Sequence, residues 1–273
     1  MQIKFDKTVI DIRVSTLPIV WGEKIVMRLL DRSSVQIGID SIGFSPANLE
    51  HFKKSLKHPN GIILVTGPTG SGKTSTLYAG LNLIKSPEIN IVTVENPVEY
   101  RLSLINQVQI RSDINYTFAT ALRSILRQDP DVIMVGEIRD LETANIAIES
   151  ALTGHLVLST LHTNDSASTI TRFIEMGIQP FLLTSTIIAI VSQRLVRCIC
   201  PNCREEYQPD EEVLKSIKLA PGKVKFYKGK GCASCVSTGY KGRMAIHEVL
   251  MMNDEIRHKI FEGHSTEEIK RAA

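Results

Sequence analysis

The chain has few aromatic residues and no strong excess of either charge. Only 5% of its 273 residues are aromatic and its formal net charge is +3. Nothing in the composition therefore demands a nucleic acid or an acidic membrane as partner. The longest uncharged apolar stretch, residues 177–191, has 15 residues and contains Gln179 and Pro180, which makes it too short to cross a bilayer. Residues 1–11 carry lysines and aspartates and lack the apolar centre of a secretory signal. These absences predict a soluble cytosolic protein.

Cysteine is confined to one segment. All five cysteines lie between residues 198 and 235, and such clustering in a cytosolic enzyme favours a metal over disulfides. Cys200, Cys203, Cys232 and Cys235 form two CxxC pairs, and four thiolates arranged in this way make a tetrahedral structural zinc site. Two unrelated surface pairs would instead leave four exposed thiols with no physical gain. Cys198 is left over and is predicted to be a plain thiol.

The strongest motif is a phosphate-binding loop. Residues 67–74 read GPTGSGKT and fit the pattern GxxxxGK[ST]. An apolar run over residues 61–66 predicts the preceding strand, and residues 75–84 have helical spacing. Backbone N–H groups and the helix N-terminus attract phosphate oxygens. We expect Lys73 to reach the β- and γ-phosphates of ATP and the Thr74 hydroxyl to ligate magnesium. The predicted nucleotide-binding residues are Gly67, Pro68, Thr69, Gly70, Ser71, Gly72, Lys73, Thr74, Ser75 and Glu95.

Two further predicted strands end in acidic residues. Glu95 and Glu99 follow a β-branched run over residues 90–94, at the edge where an open α/β sheet collects its ligand chemistry. One of these carboxylates can orient or deprotonate an attacking water. Residues 131–135 followed by Glu137 are typical of a Walker B strand, whose acidic end supports magnesium. Together the motifs predict an α/β fold.

His155 and His162 bracket the next predicted strand. They lie near its opposite ends and therefore cannot form one chelating pair. On local sequence alone, each histidine is more typical of a structural hydrogen-bonding residue than of a catalytic residue. The strand that follows Walker B commonly carries a γ-phosphate sensor, however, and His162 is the candidate because it lies at the carboxyl end.

Residues 1–45 alternate between apolar and polar positions, which predicts two or three strands of a small antiparallel or mixed unit. The predicted turns lie at Pro18 and at residues 21–23. Arg13 and Arg28 lie within apolar runs, where local sequence alone favours edge-strand arginines.

Several motifs in order give the chain a family resemblance over nearly its whole length. GPTGSGKT resembles the Walker A motif of the bacterial ATPases of type II secretion and type IV pilus assembly, TVENPVEY their aspartate box, DPDVIMVGEIRD their Walker B motif and TGHLVLSTLHTND their histidine box. The segment DIRVSTLPIVWGEKIVMRLLD resembles their second N-terminal domain. Asn96 departs from the family, which usually has aspartate there, so no metal role is carried over to it.

The resemblance implies a RecA-like core with four regions. These are a small N-terminal α+β domain over residues 1–45, the ATPase domain over 46–196, a tetracysteine zinc-binding subdomain over 197–243 and a C-terminal helical region over 244–273. It also implies that Arg13 and Arg28 reach the nucleotide at a domain or subunit boundary, that Glu99 positions water and that Glu137 supports magnesium. The tetracysteine segment and the following GYKGR resemble assembly and secretion ATPases rather than pilus-retraction ATPases.

The implied partners are further copies of the chain in a hexameric ring, a polytopic inner-membrane platform protein and a membrane-associated recruiting protein, with no nucleic acid. The implied location is the cytoplasmic side of the inner membrane. The chain begins abruptly and stops within a predicted helix, which suggests truncation at both ends. The alternatives are a nucleic-acid translocase with a zinc ribbon, disfavoured by the few aromatic residues available to stack on bases, and a small-molecule kinase.

Overall fold

The computed structural model describes residues 2–5, 8–31, 38–217, 219 and 224–273. Parts of the predicted N-terminal domain and zinc-binding subdomain thus lie outside the described residues. The chain divides into two compact units, one of residues 1–193 with 247–273 and the other of residues 194–246. The four-region division stays a prediction.

The first unit begins with a three-stranded antiparallel sheet. Its strands are β1 (Gln2–Phe5), β2 (Thr8–Ile19) and β3 (Gly22–Asp31), with β2 in the middle. The prediction of a turn at Pro18 is wrong, because Pro18 lies inside β2 opposite Glu23 and the chain reverses only after Ile19. Proline tolerates a strand end where its missing N–H is not needed by a neighbour.

A seven-stranded sheet forms the centre of the fold. Its strands are β4 (Gly61–Thr66), β5 (Ile91–Glu95), β6 (Asn106–Gln109), β7 (Val132–Val135), β8 (Leu156–Leu161), β9 (Ile187–Ile199) and β12 (Tyr240–Met251), in the order β12-β9-β4-β8-β7-β5-β6. Neighbours from β9 through β6 pair in parallel. Every residue of β4, β5, β7 and β8 is buried, which explains their apolar sequences, since a parallel sheet is covered on both faces.

Helices complete the first unit: α1 (Pro46–Ser55), α2 (Lys73–Ile84), α3 (Phe118–Ile125), α4 (Leu141–Leu152), α5 (Ser166–Glu175), α6 (Pro180–Thr186), α8 (Asp254–Phe261) and α9 (Thr266–Ala272). Polar N-caps set where several begin: the Ser45 and Asp165 side chains accept hydrogen bonds from the first turns of α1 and α5. The α/β fold predicted from the motifs is confirmed. Among the described residues, the structure has no helix with the length and apolar character needed to span a membrane.

The second unit contains a two-stranded antiparallel sheet of β10 (Arg204–Tyr207) and β11 (Phe226–Gly229), and the short helix α7 (Glu211–Ser216). The chain enters this unit along β9 and leaves it along β12. All four cysteines of the predicted zinc site belong to it.

Candidate nucleotide site and candidate zinc centre

The phosphate-binding loop lies between β4 and α2 at the carboxyl edge of the large sheet. Gly67 has φ +140°, and a Cβ there would lie 2.3 Å from the carbonyl oxygen of Gln193 in β9. Gly72, the N-cap of α2, has φ 88°. Position 67 favours glycine because both the space and the positive φ exclude a side chain, and position 72 favours it because of its positive φ. The predicted strand, loop and helix are therefore all present, although α2 begins at Lys73, two residues earlier than its sequence pattern indicates.

Lys73 points its ammonium group into this loop. The side chain is 9% exposed, and Nζ donates to the carbonyl oxygens of Gly67 at 2.9 Å and Pro68 at 3.1 Å. Burial lowers the pKa of Lys73, and the nearby carboxylate of Glu137 opposes that shift. Thr74 is half-buried and Ser75 exposed in the first turn of α2.

The loop fits a bound phosphate group. Within the described part of the chain, the buried hydroxyls of Thr66 and Ser71 have no hydrogen-bond partner. A buried hydroxyl without a partner costs free energy, and a phosphate or a water molecule would satisfy it. Pro68, Thr69 and Gly70 are exposed at the tip of the loop, where an incoming ligand reaches their backbone.

Glu137 lies beside Lys73 at the carboxyl end of β7. Its side chain is only 14% exposed, and Oε2 is 2.7 Å from Arg139 Nε and 3.5 Å from His162 Nε2. His162 follows the adjacent strand β8. Since neighbouring parallel strands end at the same edge, the structure brings Lys73, Glu137 and His162 together, and His155 stays at the opposite end, where Nδ1 lies 2.9 Å from the Ser150 carbonyl oxygen.

Glu95 is buried in a polar network beneath the edge of the sheet. It is 2% exposed and accepts hydrogen bonds from the hydroxyls of Tyr78 and Thr93 and from Gln107 Nε2. Burial raises the pKa of Glu95, while these hydrogen bonds oppose the shift. The carboxylate therefore already has protein donors on both oxygens, and its predicted nucleotide-binding role stays a prediction.

Glu99 lies in the loop that follows β5 and is paired with Arg13 of the N-terminal sheet. Arg13 Nη2 is 2.6 Å from Glu99 Oε2, and the two side chains are 33% and 36% exposed. Arg28 is the register partner of Arg13 across β2 and β3, and directly opposed residues project to the same face of a sheet. The structure thus places both predicted arginines on the face from which Arg13 reaches Glu99.

The four CxxC cysteines come together in the second unit. Their Sγ atoms all lie within 4.8 Å of one another, with separations of 3.9 Å for Cys200–Cys232 and for Cys203–Cys235 and 3.7 Å for Cys232–Cys235. A tetrahedral zinc site with Zn–S bonds of about 2.3 Å has edges of about 3.8 Å. The donor set and its spacing therefore fit zinc, and Cys198 is not part of the cluster.

Backbone N–H groups favour a thiolate at Cys235. Burial raises the pKa of this thiol, but hydrogen bonds from the N–H groups of Cys232 and Gly239, together with those of the Cys232 and Cys203 thiols, lower it to about 6. At Cys203 burial prevails and raises the pKa to about 12. A Cβ at Gly229 would lie 2.0 Å from the carbonyl oxygen of Gly239. This close approach requires glycine at residue 229.

Comparison with known proteins agrees with this geometry. The model of the "Type II/IV secretion system protein" family matches residues 1–273. The chain belongs to this family.

Among curated relatives, a type IV pilus assembly ATPase PilB from Thermus thermophilus is 53% identical over 267 residues, which are 97% of this chain and 30% of that protein. A type II secretion system ATPase E from Vibrio cholerae is 50% identical over 254 residues, which are 92% of this chain and 50% of that protein. The chain thus spans between 30% and 50% of the length of these relatives.

Two solved structures show the same fold. The pilus retraction motor PilT with bound ADP has a TM-score of 0.64 and 26% identity over 96% of this chain and 68% of that one. The ATPase DotB of Legionella pneumophila has a TM-score of 0.63 and 22% identity over 100% of this chain and 66% of that one.

The sequence patterns did not reveal the buried polar residues that hydrogen-bond to the site residues and fix their positions. Tyr78 and Gln107 hold Glu95, and Gln193 of β9 contacts the phosphate-binding loop. A signal for Gln193 was present, since the apolar run of residues 187–191 changes to Ser192 and Gln193 at the level where β4 ends.

Zinc removal should affect the second unit and leave nucleotide binding largely unchanged, because the phosphate-binding loop belongs to the first unit. We expect about one zinc per chain in the purified protein by metal analysis. Chelation should increase amide hydrogen exchange within residues 194–246, while the affinity for ATP stays close to that of the untreated protein.

The ligand set has a matched control in the fifth cysteine. Cys235→Ser should lose zinc because it removes one of four thiolates, whereas Cys198→Ser should keep the full zinc content. Equal zinc loss in the two variants, or no zinc in the unaltered protein, would contradict the site.

Proposed function

We propose that this chain is the motor core of a magnesium-dependent ATP hydrolase that powers pilus assembly or type II protein secretion. The observation that carries the proposal is the meeting of Lys73, Glu137 and His162 at one edge of the sheet, directly beside a phosphate-binding loop. The family and its curated relatives, which are named as pilus assembly and secretion ATPases, support it. They do not favour the nucleic-acid translocase.

Phosphate binding falls to the loop and to Lys73. Backbone N–H groups of residues 67–74 and the N-terminus of α2 face the phosphate oxygens, and Lys73 moves its ammonium group from the loop carbonyls to the β- and γ-phosphates. Thr74 and Glu137 would hold Mg²⁺, which when bound neutralises charge on the phosphates. His162 donates to the γ-phosphate from the end of β8, beside Glu137.

Water activation falls to Glu99. In the structure its carboxylate is held by Arg13 at 2.6 Å, so Arg13 must release it before Glu99 can accept a proton from water. We infer that Arg13 then turns to the charge that develops on the γ-phosphate, together with Arg28 from the same face. One movement thereby frees the base and supplies the cation.

The ring and its partners follow from the same proposal. Further copies of the chain would form a hexamer, and the motor would act on a polytopic inner-membrane platform protein with the help of a membrane-associated recruiting protein. The assembly would lie in the cytoplasm against the inner membrane. Zinc would hold residues 194–246 together as a structural ion, since four thiolates leave it no open position for catalysis.

Replacing Lys73 tests the phosphate-binding loop. Lys73→Ala should abolish measurable ATP turnover, because it removes the cation on the β- and γ-phosphates. Lys57→Ala, at an exposed position outside the site, serves as the control and should keep full turnover. Both variants should retain the circular dichroism spectrum of the unaltered protein. Normal turnover by a folded Lys73→Ala variant would refute the assignment.

The two carboxylates can be separated by their dependence on magnesium. Glu99→Gln should bind ATP normally and hydrolyse it about 100-fold more slowly or worse, since an amide keeps the shape and loses the base. Glu137→Gln should instead shift the magnesium requirement to higher concentration. Steady-state rates across a magnesium titration measure both effects. If Glu137→Gln is slow at every magnesium concentration and Glu99→Gln is active, the two roles are reversed.

Arg13 can be tested against a surface ion pair of the same kind. Arg13→Ala should reduce turnover about 1,000-fold, the scale of an arginine that stabilises phosphoryl transfer. It should change the free energy of unfolding by at most about 1 kcal/mol, because the pair with Glu99 is partly exposed. Arg123→Ala removes an ion pair to Glu142 of 2.7 Å and should leave turnover unchanged. Equal turnover in the two variants would exclude the proposed role.

A further inference from the structure

Gln193 contacts the phosphate-binding loop from the neighbouring strand β9. It follows Ser192, the register partner of Thr66 at the end of β4, and is 1% exposed. Its Nε2 donates to the backbone carbonyl of Ser71 at 2.6 Å, and its Oε1 accepts from the Thr76 hydroxyl at 2.7 Å. The two ends of one buried amide therefore engage the end of the loop and the first turns of α2.

The orientation of this amide follows from its partners. A backbone carbonyl only accepts hydrogen bonds, so the amide nitrogen must face Ser71, and the amide oxygen then receives the Thr76 proton. Glutamate at this position would place an acceptor against the carbonyl of Ser71. Asparagine is one methylene shorter and would not reach both partners. Glutamine is therefore the residue type that this geometry fits.

The backbone of Gln193 also contacts the beginning of the loop. Its carbonyl oxygen lies 2.3 Å from the position that a Cβ of Gly67 would occupy. One residue of β9 thus touches the loop at Gly67, through its backbone, and at Ser71, through its side chain. None of these contacts uses a loop N–H group, so Gln193 does not compete with phosphate oxygens for those donors.

We propose that Gln193 is a positioning residue that holds the loop in its phosphate-binding shape. The inference rests on the proposed function, since it takes the loop to bind ATP. Loop N–H groups contact the nucleotide both before and during hydrolysis, and an interaction of that kind affects KM and leaves kcat unchanged. Gln193 therefore governs nucleotide affinity rather than the chemical step.

The test compares two variants of nearly equal disturbance to the core. Gln193→Met keeps the length of the side chain and loses both hydrogen bonds. Thr186→Val removes a buried hydroxyl that donates to the Leu182 carbonyl at 2.7 Å. Thr186 is the last residue of α6, directly before the end of β9 that is remote from the loop. Both variants are purified as the complete chain, and their folding is verified by circular dichroism.

We expect Gln193→Met to raise the Kd for ATP, for ADP and for inorganic pyrophosphate about tenfold, the factor expected when one or two hydrogen bonds are lost. KM for ATP should rise by a similar factor, with kcat changed by less than about twofold. Thr186→Val should bind all three ligands like the unaltered protein. If the affinities for pyrophosphate and ATP fall together, the defect lies in the phosphate-binding loop and not in a contact to the base, because pyrophosphate has no base.

Thr76→Val provides a second, milder variant. It leaves the bond from Gln193 to Ser71 in place and removes the donor to Oε1, so it should raise the Kd for ATP about threefold. In the double variant the two losses should not add, because both changes act on one network. If Gln193→Met fails to fold, Thr76→Val decides alone, and an unchanged Kd for ATP in that variant overturns the inference.

The outcomes distinguish this inference from the function on which it rests. Failure of the unaltered chain to bind ATP refutes the proposed function. Normal binding by the unaltered chain and by Gln193→Met, or an equal rise of Kd in Thr186→Val, overturns the role of Gln193. A lower kcat at unchanged KM also overturns it, because it would place Gln193 in the chemical step.

Discussion

The close packing of Gly67 against β9 is the constraint on which the candidate site depends. A parallel sheet brings backbone from adjacent strands to the same edge, and the space left beside the Gln193 carbonyl admits no side chain at residue 67. The loop ends at Gly72, whose left-handed backbone leads into α2, and the first N–H groups of a helix have no partners inside it. The phosphate-binding shape is thus a consequence of how two strands and one helix pack.

Charge at the site is balanced within the buried edge of the sheet. Lys73 and Glu137 are both largely withdrawn from water, and each reduces the cost of burying the other. Arg139 and His162 share the same carboxylate oxygen. A negatively charged ligand entering this cluster changes every one of these interactions, because attraction between charges is stronger at low dielectric. Glu95 is not part of this charge cluster, because its carboxylate accepts hydrogen bonds from Tyr78, Thr93 and Gln107. Those bonds fix the end of the strand that leads to Glu99.

The second unit has different physical support. Residues 194–246 form a small unit with a two-stranded sheet and one short described helix, which offers little apolar core. Four cysteine sulfurs lie at zinc-compatible separations, and a bound zinc ion would supply through its ligand bonds the stability that such a core lacks. The second unit begins at Arg194. Gln193, which contacts the phosphate-binding loop, is therefore the residue at which the chain leaves the first unit.

The sequence alone determined the motifs whose chemistry is local. Residues 67–74 predict a phosphate-binding loop because the backbone of such a loop needs glycines at set positions, and the CxxC pairs predict a metal site because one turn presents two thiolates. Apolar runs located the buried strands β4, β7 and β8, since a strand covered on both faces is rich in apolar residues.

Tertiary structure decided which distant side chains meet. Arg13 and Glu99 are 86 positions apart, and Glu95 and its buried partner Tyr78 are 17 positions apart. Gln193 lies 117 positions from Thr76 and 122 from Ser71. Such contacts depend on the order and register of the strands. No local pattern encodes them, because one alternating sequence is compatible with several strand orders and registers.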